Sequence, residues 1–150
     1  MLHRQKHIGI ASILLVMFSL SQPCSYAAAQ SPNDILIIVN NASDIGKITP
    51  DELKQLFTKR QSSLGKTNVI CLNSRTGTSI RDAFRERVLE MGQNEEQNYW
   101  EQAKIKHQLT PPPEFPTTVK AVFKLKKAIS YAYRKDVPPN VVKVILVVPE

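Results

Sequence analysis

The chain has 150 residues, with 20 Lys and Arg against 13 Asp and Glu, a formal net charge of +7 and 42% hydrophobic residues. This composition is typical of a globular protein and excludes an intrinsically disordered chain. A chain of this length buries one hydrophobic core, which excludes two-domain enzymes and long repeat arrays.

Residues 1–29 have the three parts of an export signal. Arg4 and Lys6 precede an apolar run of 13 residues, 8–20, and the segment ends in Ala27-Ala28-Ala29. The run is shorter than the roughly 20 residues that a membrane-spanning helix needs, so a cleaved signal is favoured over a membrane anchor. We expect cleavage after Ala29 and a domain that comprises residues 30–150.

The two cysteines bear on the location of the protein. Cys24 follows Ser21-Gln22-Pro23, which is not the small apolar set of a lipoprotein signal, so lipid attachment is not expected. After cleavage, 121 residues remain, with 18 basic and 13 acidic side chains, a net charge of +5 and a single cysteine, Cys71. An internal disulfide and a four-cysteine metal site are thereby excluded, and a periplasmic location is favoured over a disulfide-rich secreted module.

From residue 33 onward the pattern alternates between strands and helices. Thr49, Pro50 and Glu52 form a capping-box signal at the start of the first helix. Unbroken apolar runs are typical of strands that are buried on both faces of a parallel sheet. The sequence therefore predicts an α/β fold with a mostly parallel sheet flanked by helices. Strands are predicted at residues 34–40, 67–73, 128–133 (alternating at period two) and 141–148, and helices at about 49–57, 79–91, 95–107 and 118–126.

The last two helices are predicted to be amphipathic. A basic helix face can indicate nucleic-acid binding, but export from the cytoplasm favours a solvated face, and no nucleic-acid partner is expected. The expected inner faces are Tyr99, Trp100, Ala103 and Ile105 in one helix and Val119, Val122 and Phe123 in the other, with Lys120, Lys124 and Lys127 opposite the second face.

Catalytic chemistry has little support in residues 30–150. Catalysis requires a nucleophile with a base, paired carboxylates or clustered metal ligands, and the domain has one histidine, His107, on a charged helix end. The segment Gly65-Lys66-Thr67 matches the end of a phosphate-binding P-loop, but Arg60 replaces the required glycine and a strand follows instead of a helix. We expect no catalytic residue, no metal site and no cofactor.

The loop from Arg75 to Ser79 is the strongest candidate for a binding site. It connects a predicted strand to a helix start, where unpaired backbone amides and the positive end of the helix dipole attract an anion. Thr78 and Ser79 add hydroxyl donors, and Gly77 lets a ligand approach the backbone. Arg75 and Arg81 supply charge, which suits a tetrahedral oxyanion.

The same spacing also has a purely structural interpretation. Thr78 or Ser79 can cap the helix, with Ser79 and Asp82 as a capping box. Spacing alone favours capping over anion binding.

Two longer segments resemble the substrate-binding proteins of phosphate ABC transporters. They are Ile48 to Phe57 and Asn73 to Phe84, and Tyr99-Trp100, the proline run at 111–113 and Lys127 to Tyr131 follow in the same order as in that family. The resemblance covers about residues 35–148. It implies a single lobe of a periplasmic-binding-protein-like fold.

The resemblance also implies a ligand and a set of contacts. In that family an arginine and a glycine-containing turn at a helix N-terminus contact phosphate from one lobe of a two-lobed clamp, and Arg75, Gly77 and Thr78 match those positions. In this sequence the turn is about one residue shorter, Ile80 replaces a threonine and Ser130 replaces a glycine. Because 121 residues hold one lobe, a full clamp requires a partner or a second copy of the chain.

Together these features predict a non-enzymatic, exported protein that binds phosphate or a related oxyanion in association with phosphate uptake. A second hypothesis keeps the fold without the ligand. In that case the chain is an interaction module that acts on a membrane transporter or sensor through its basic helix or the Trp100 region.

Overall fold

The computed structural model describes residues 30–150, and the predicted signal peptide lies outside them. Helices flank a central sheet, which confirms the predicted α/β fold class. A π-helical turn, Arg85–Leu89, continues the second helix, and a 3-10 turn, Arg134–Asp136, follows the seventh strand. The strands are β1 (Ile35–Asn40), β2 (Ser63–Leu64), β3 (Thr67–Asn68), β4 (Ile70–Cys71), β5 (Asn73–Ser74), β6 (Glu114–Phe115), β7 (Ala128–Tyr133) and β8 (Val142–Val148), and the helices are α1 (Pro50–Phe57), α2 (Ser79–Phe84), α3 (Gln93–His107) and α4 (Thr118–Lys124).

The central sheet has the strand order β4-β7-β1-β8. β1 pairs antiparallel with both β7 and β8, whereas β4 pairs parallel with β7. The prediction of a mostly parallel sheet is therefore wrong. An unbroken apolar run reports that both faces of a strand are covered, and it carries no information on the direction of the neighbouring strands.

Both faces of β1 are buried because helices cover both sides of the sheet. Ile35, Ile37 and Val39 pack into a cluster with α1, α2 and the π-helical turn. Leu36 and Ile38 pack on the opposite side with α4. The side chains of β7 also alternate between the two sides of the sheet. Its small residues are buried under α4, and its large residues are buried in the cluster with α1 and α2.

Helix α1 begins as its sequence predicts. Thr49 Oγ1 accepts a hydrogen bond from the Glu52 amide at 3.2 Å, and the Thr49 amide donates to Glu52 Oε2 at 2.9 Å. Pro50 occupies the first turn. Leu53 and Phe57 are fully buried, so the cap fixes the start of a helix that packs on the main core.

The strand predicted at residues 67–73 is divided into β3, β4 and β5. Ile70 is 47% exposed, so the run is not buried throughout. β4 stays in the central sheet, whereas β5 leaves it and pairs parallel with β6. Cys71 is half-buried and packs against the main core.

Two expected inner-face residues point outward instead. Ile105 is 82% exposed and Phe123 is 58% exposed, whereas Ala103 and Val122 are buried as expected. α4 also ends earlier than predicted, because Leu125 adopts an extended conformation.

Within residues 30–150, no helix combines the length and hydrophobicity needed to cross a bilayer.

Candidate functional site

The candidate loop lies between β5 and α2, and hydrogen bonds fix the strand that leads into it. The Asn73 amide donates to the Pro113 carbonyl at 2.8 Å, and the Ser74 amide donates to the Tyr131 hydroxyl at 3.2 Å. The Tyr131 hydroxyl in turn donates to Asn73 Oδ1 at 3.2 Å. The strand that enters the loop is therefore fixed on two sides before the loop begins.

Gly77 is the turning point of the loop. Its φ is +80°, a left-handed conformation that side chains with a Cβ rarely adopt. No atom lies within 4 Å of the position that a Cβ would take, so the space beside the glycine is open. Both the turn and the approach of a ligand thus favour glycine here.

Thr78 is the N-cap of α2, but its hydroxyl does not cap the helix. Thr78 Oγ1 donates instead to the Arg75 carbonyl at 2.7 Å, and the Thr78 amide donates to the same carbonyl at 3.3 Å. The predicted capping role of Thr78 and the Ser79–Asp82 capping box are therefore wrong. Ser79 is the first residue of α2 and is exposed.

The two predicted cationic ligands lie in different environments. Arg75 is exposed, and no acidic side chain within residues 30–150 forms an ion pair with it. Arg81 is 6% exposed and forms an ion pair through Nη2 with Glu96 of α3. Arg75 is thus available to a ligand in solution, whereas Arg81 lies beneath the loop.

A second arginine, which the sequence analysis did not single out, accompanies Arg81. Arg85 Nη1 lies 2.8 Å from Asp82 Oδ1, and its Nη2 lies 3.6 Å from Glu86 Oε1. Arg81 Nε and Nη1 and Arg85 Nε are buried without a hydrogen-bond partner in the described part of the chain. Three guanidinium nitrogens in the wall below the loop therefore lack an acceptor within residues 30–150.

Glu114, which was not predicted from the sequence, contacts the loop directly. The Thr76 amide donates to Glu114 Oε2 at 3.1 Å, and Thr76 Oγ1 donates to Glu114 Oε1. These hydrogen bonds lower the pKa of Glu114 below its ordinary value, with smaller contributions from the charges of Arg81 and Arg75. No local signal in the sequence identifies Glu114, because the pairing of β5 with β6 brings it to the loop.

A cleft of about 330 Å³ lies beside the loop, and Arg75, Thr78 and Ser79 of the predicted set do not line it. Thr76 and Gly77 form its rim, and Trp100 of α3 and Pro111 contribute to its lining. The structure therefore brings Gly77 and Arg81 of the predicted set to one cleft. The remaining lining residues are Asn73, Asp82, Arg85, Gln93, Glu96, Gln97 and Glu114.

Ser130, which stands where the resembling family has a glycine, has a structural role. It is fully buried in β7, and its Oγ donates to the Leu72 carbonyl at 2.7 Å. Ile80 is partly buried and packs against the main core. Neither departure from the family pattern disturbs the strands that position the loop.

Two solved structures share this architecture. An ABC-type phosphate transport receptor from Vibrio cholerae superposes with a TM-score of 0.59 at 13% identity, covering 77% of this chain and 47% of the receptor. A phosphate ABC transporter substrate-binding protein from Clostridium perfringens, described as putative and solved with bound phosphate, gives a TM-score of 0.56 at 16% identity, covering 76% and 45%. The chain has the fold of such receptors.

The resemblance predicted from the sequence is thus confirmed at the level of the fold. The chain spans about half the length of each of the two receptors. No protein-family model matches the sequence, and no curated protein matches it.

Proposed function

We propose that this protein binds phosphate or a related oxyanion at the loop from Arg75 to Ser79, in association with phosphate uptake. The observation that carries the proposal is the bidentate hydrogen bonding of Thr76 to the Glu114 carboxylate. A loop that directs an amide and a hydroxyl at two oxygens of one anion has the donor geometry that an oxyanion requires. The phosphate receptors that share the fold support the choice of ligand.

Each predicted residue has a role that is compatible with its position. Arg75 is exposed and can fold over a bound anion, and the open space at Gly77 admits the anion to the backbone. Ser79 begins α2 and its hydroxyl is exposed, so it can donate to the ligand. Thr78 contributes by holding the Arg75 carbonyl, and Arg81 contributes positive charge from below.

The exposure of the loop limits its affinity. Opposite charges about 4 Å apart in water attract each other by only about 1 kcal/mol. A second copy of the chain or a membrane transporter component that covers the cleft would exclude water and strengthen the same contacts. We therefore propose a function in association with such a partner and not as an isolated receptor.

Thermal unfolding with and without millimolar phosphate tests the proposal. A ligand that binds only the folded state raises the unfolding midpoint as its concentration increases. We expect such a rise with phosphate, and calorimetric titrations with phosphate, arsenate and sulfate then rank the anions. The absence of both binding heat and a midpoint shift for all three anions would refute the binding site.

The proposed location depends on residues 1–29. We propose that the chain is exported to the periplasm, is cleaved before Gln30 and has no enzymatic activity. Intact-mass spectrometry of the periplasmic fraction tests the cleavage. A mass that retains Met1 to Ala29, or a lipid on Cys24, would contradict it.

A second candidate function is the interaction module, which the surface around α4 supports. Phe123 and Leu125 are 58% and 40% exposed beside a cleft of about 640 Å³. The lysines of this surface, Lys120, Lys124, Lys126 and Lys127, form no ion pair within residues 30–150. Such a basic and apolar surface suits a partner protein with acidic and apolar side chains.

Site-specific crosslinking in cells distinguishes this candidate. A photo-reactive residue at position 123 is expected to crosslink to a membrane protein. The same residue at position 105, which is 82% exposed on α3, is the control. Equal crosslinking from both positions would exclude a specific role for the α4 surface.

A further inference from the structure

The donors of the loop already have an acceptor within the protein. The Thr76 amide and hydroxyl donate to separate oxygens of the Glu114 carboxylate. An incoming oxyanion at this position requires the same two donors. Glu114 and an external ligand therefore compete for one set of hydrogen bonds.

The backbone holds Glu114 at this place. Asn73 pairs with Glu114 and Ser74 with Phe115 in the parallel β5–β6 ladder. The Asn73 amide also donates to the Pro113 carbonyl at 2.8 Å. The chain on either side of the glutamate is thus fixed, whereas its side chain is at the surface.

The Glu114 side chain can leave the loop at the cost of its two hydrogen bonds to Thr76. The residue is exposed, so its carboxylate gains hydration when it turns away from Thr76. It carries a negative charge at neutral pH, and the hydrogen bonds from Thr76 lower its pKa further. A displaced carboxylate beside the bound oxyanion would add like-charge repulsion and weaken binding further.

We propose that Glu114 is an internal competitor that occupies the oxyanion loop in the ligand-free protein and sets its affinity for external anions. This inference rests on the proposed function, since it concerns the same loop. It assigns to Glu114, a residue outside the predicted set, a role in how tightly the loop binds.

Calorimetric titration of inorganic phosphate into the wild-type protein and two variants tests the inference. Glu114→Gln removes the charge and keeps the size of the side chain, and Glu114→Ala removes the competing acceptor altogether. Because a hydrogen bond to a charged group and one unit of repulsion are lost, we expect both variants to bind phosphate about tenfold more tightly or better. Glu101→Gln is the control for net charge, since Glu101 is exposed on α3 and interacts with Gln97, and its affinity is expected to match the wild type.

The outcomes separate this inference from the proposed function. Tighter phosphate binding by both variants than by the wild-type protein supports the inference. Equal or weaker binding by both variants overturns it and leaves the proposed function intact. If wild type and variants all give no heat with millimolar phosphate, the inference and the proposed function both fail. Thermal midpoints measured without phosphate establish that each variant is folded. If Glu114→Ala unfolds, the phosphate affinity of Glu114→Gln alone tests the inference.

Discussion

The ring of Phe84 stacks flat on the ring of Tyr131, with their centroids 3.7 Å apart and their planes 3° from parallel. Phe84 is the last residue of α2, and Tyr131 lies in the middle of β7. The pair joins the helix that follows the candidate loop to the central sheet. Since the Tyr131 hydroxyl also accepts from the Ser74 amide, one side chain contacts both the strand before the loop and the helix after it.

Tyr131→Phe is expected to destabilise the protein and loosen the loop. The ring stacking remains, but the Ser74 amide loses its acceptor in a buried position, which costs about 1–3 kcal/mol. Urea unfolding measures this loss, and phosphate titration is expected to show weaker binding. Tyr133→Phe is the matched control on the same strand, because the Tyr133 hydroxyl forms no hydrogen bond within residues 30–150. Equal effects of the two substitutions would exclude a special role for the Tyr131 hydroxyl.

Arg75→Ala is expected to abolish the phosphate-induced rise in the unfolding midpoint. Because the side chain is exposed and unpaired in the described chain, the ligand-free stability should change by no more than about 0.5 kcal/mol. Lys47→Ala, which also removes an exposed positive charge, is expected to keep the phosphate response. A full phosphate response in Arg75→Ala would remove the arginine from the proposed site.

Glu96→Ala is expected to be strongly destabilising. The side chains of Arg81 and Glu96 are only 7% and 12% exposed, so removal of the carboxylate leaves a buried guanidinium without its counter-ion. Breaking a buried ion pair in this way costs about 3–5 kcal/mol. Guanidinium chloride would screen charges, so urea is the denaturant for this measurement. A loss within the range of exposed surface substitutions would show that solvent reaches Arg81.

The features that were predictable from the sequence are local in the chain. The start of α1 depends on Thr49, Pro50 and Glu52, which lie within one turn, so their pattern alone identifies the cap. The Arg75–Ser79 loop was located for the same reason, because a strand signal runs directly into a helix signal.

The features that were not predictable depend on contacts between distant segments. The partner of Arg81 is Glu96, 15 residues away on another helix, so the local pattern that predicted Arg81 as an anion ligand could not indicate its buried ion pair. Thr76 and Glu114 are 38 residues apart and meet only through the β5–β6 ladder. The direction of the strands beside β1 could not be predicted either, since burial of β1 on both faces is compatible with parallel or antiparallel neighbours.

Acid is expected to destabilise the protein in part through Glu52. The Thr49 amide, and then its hydroxyl, hydrogen bond to the Glu52 carboxylate and lower its pKa below the ordinary 4.5. A group whose pKa is lower in the folded state contributes stability above its unfolded pKa, and this contribution is lost as pH falls through the folded pKa. Urea midpoints measured from about pH 7 down to about pH 3 should therefore fall less steeply below about pH 4.5 in Glu52→Gln than in the wild-type protein.

Asp51→Asn provides the matched control for this acid dependence. Asp51 lies in the same first turn of α1, but within residues 30–150 its carboxylate accepts no hydrogen bond. After this substitution the urea midpoint is expected to fall below about pH 4.5 as steeply as in the wild-type protein, since the Thr49–Glu52 capping box stays in place. If Glu52→Gln and Asp51→Asn equally reduce the fall of the urea midpoint at acid pH, the effect comes from the helix dipole and not from the capping box.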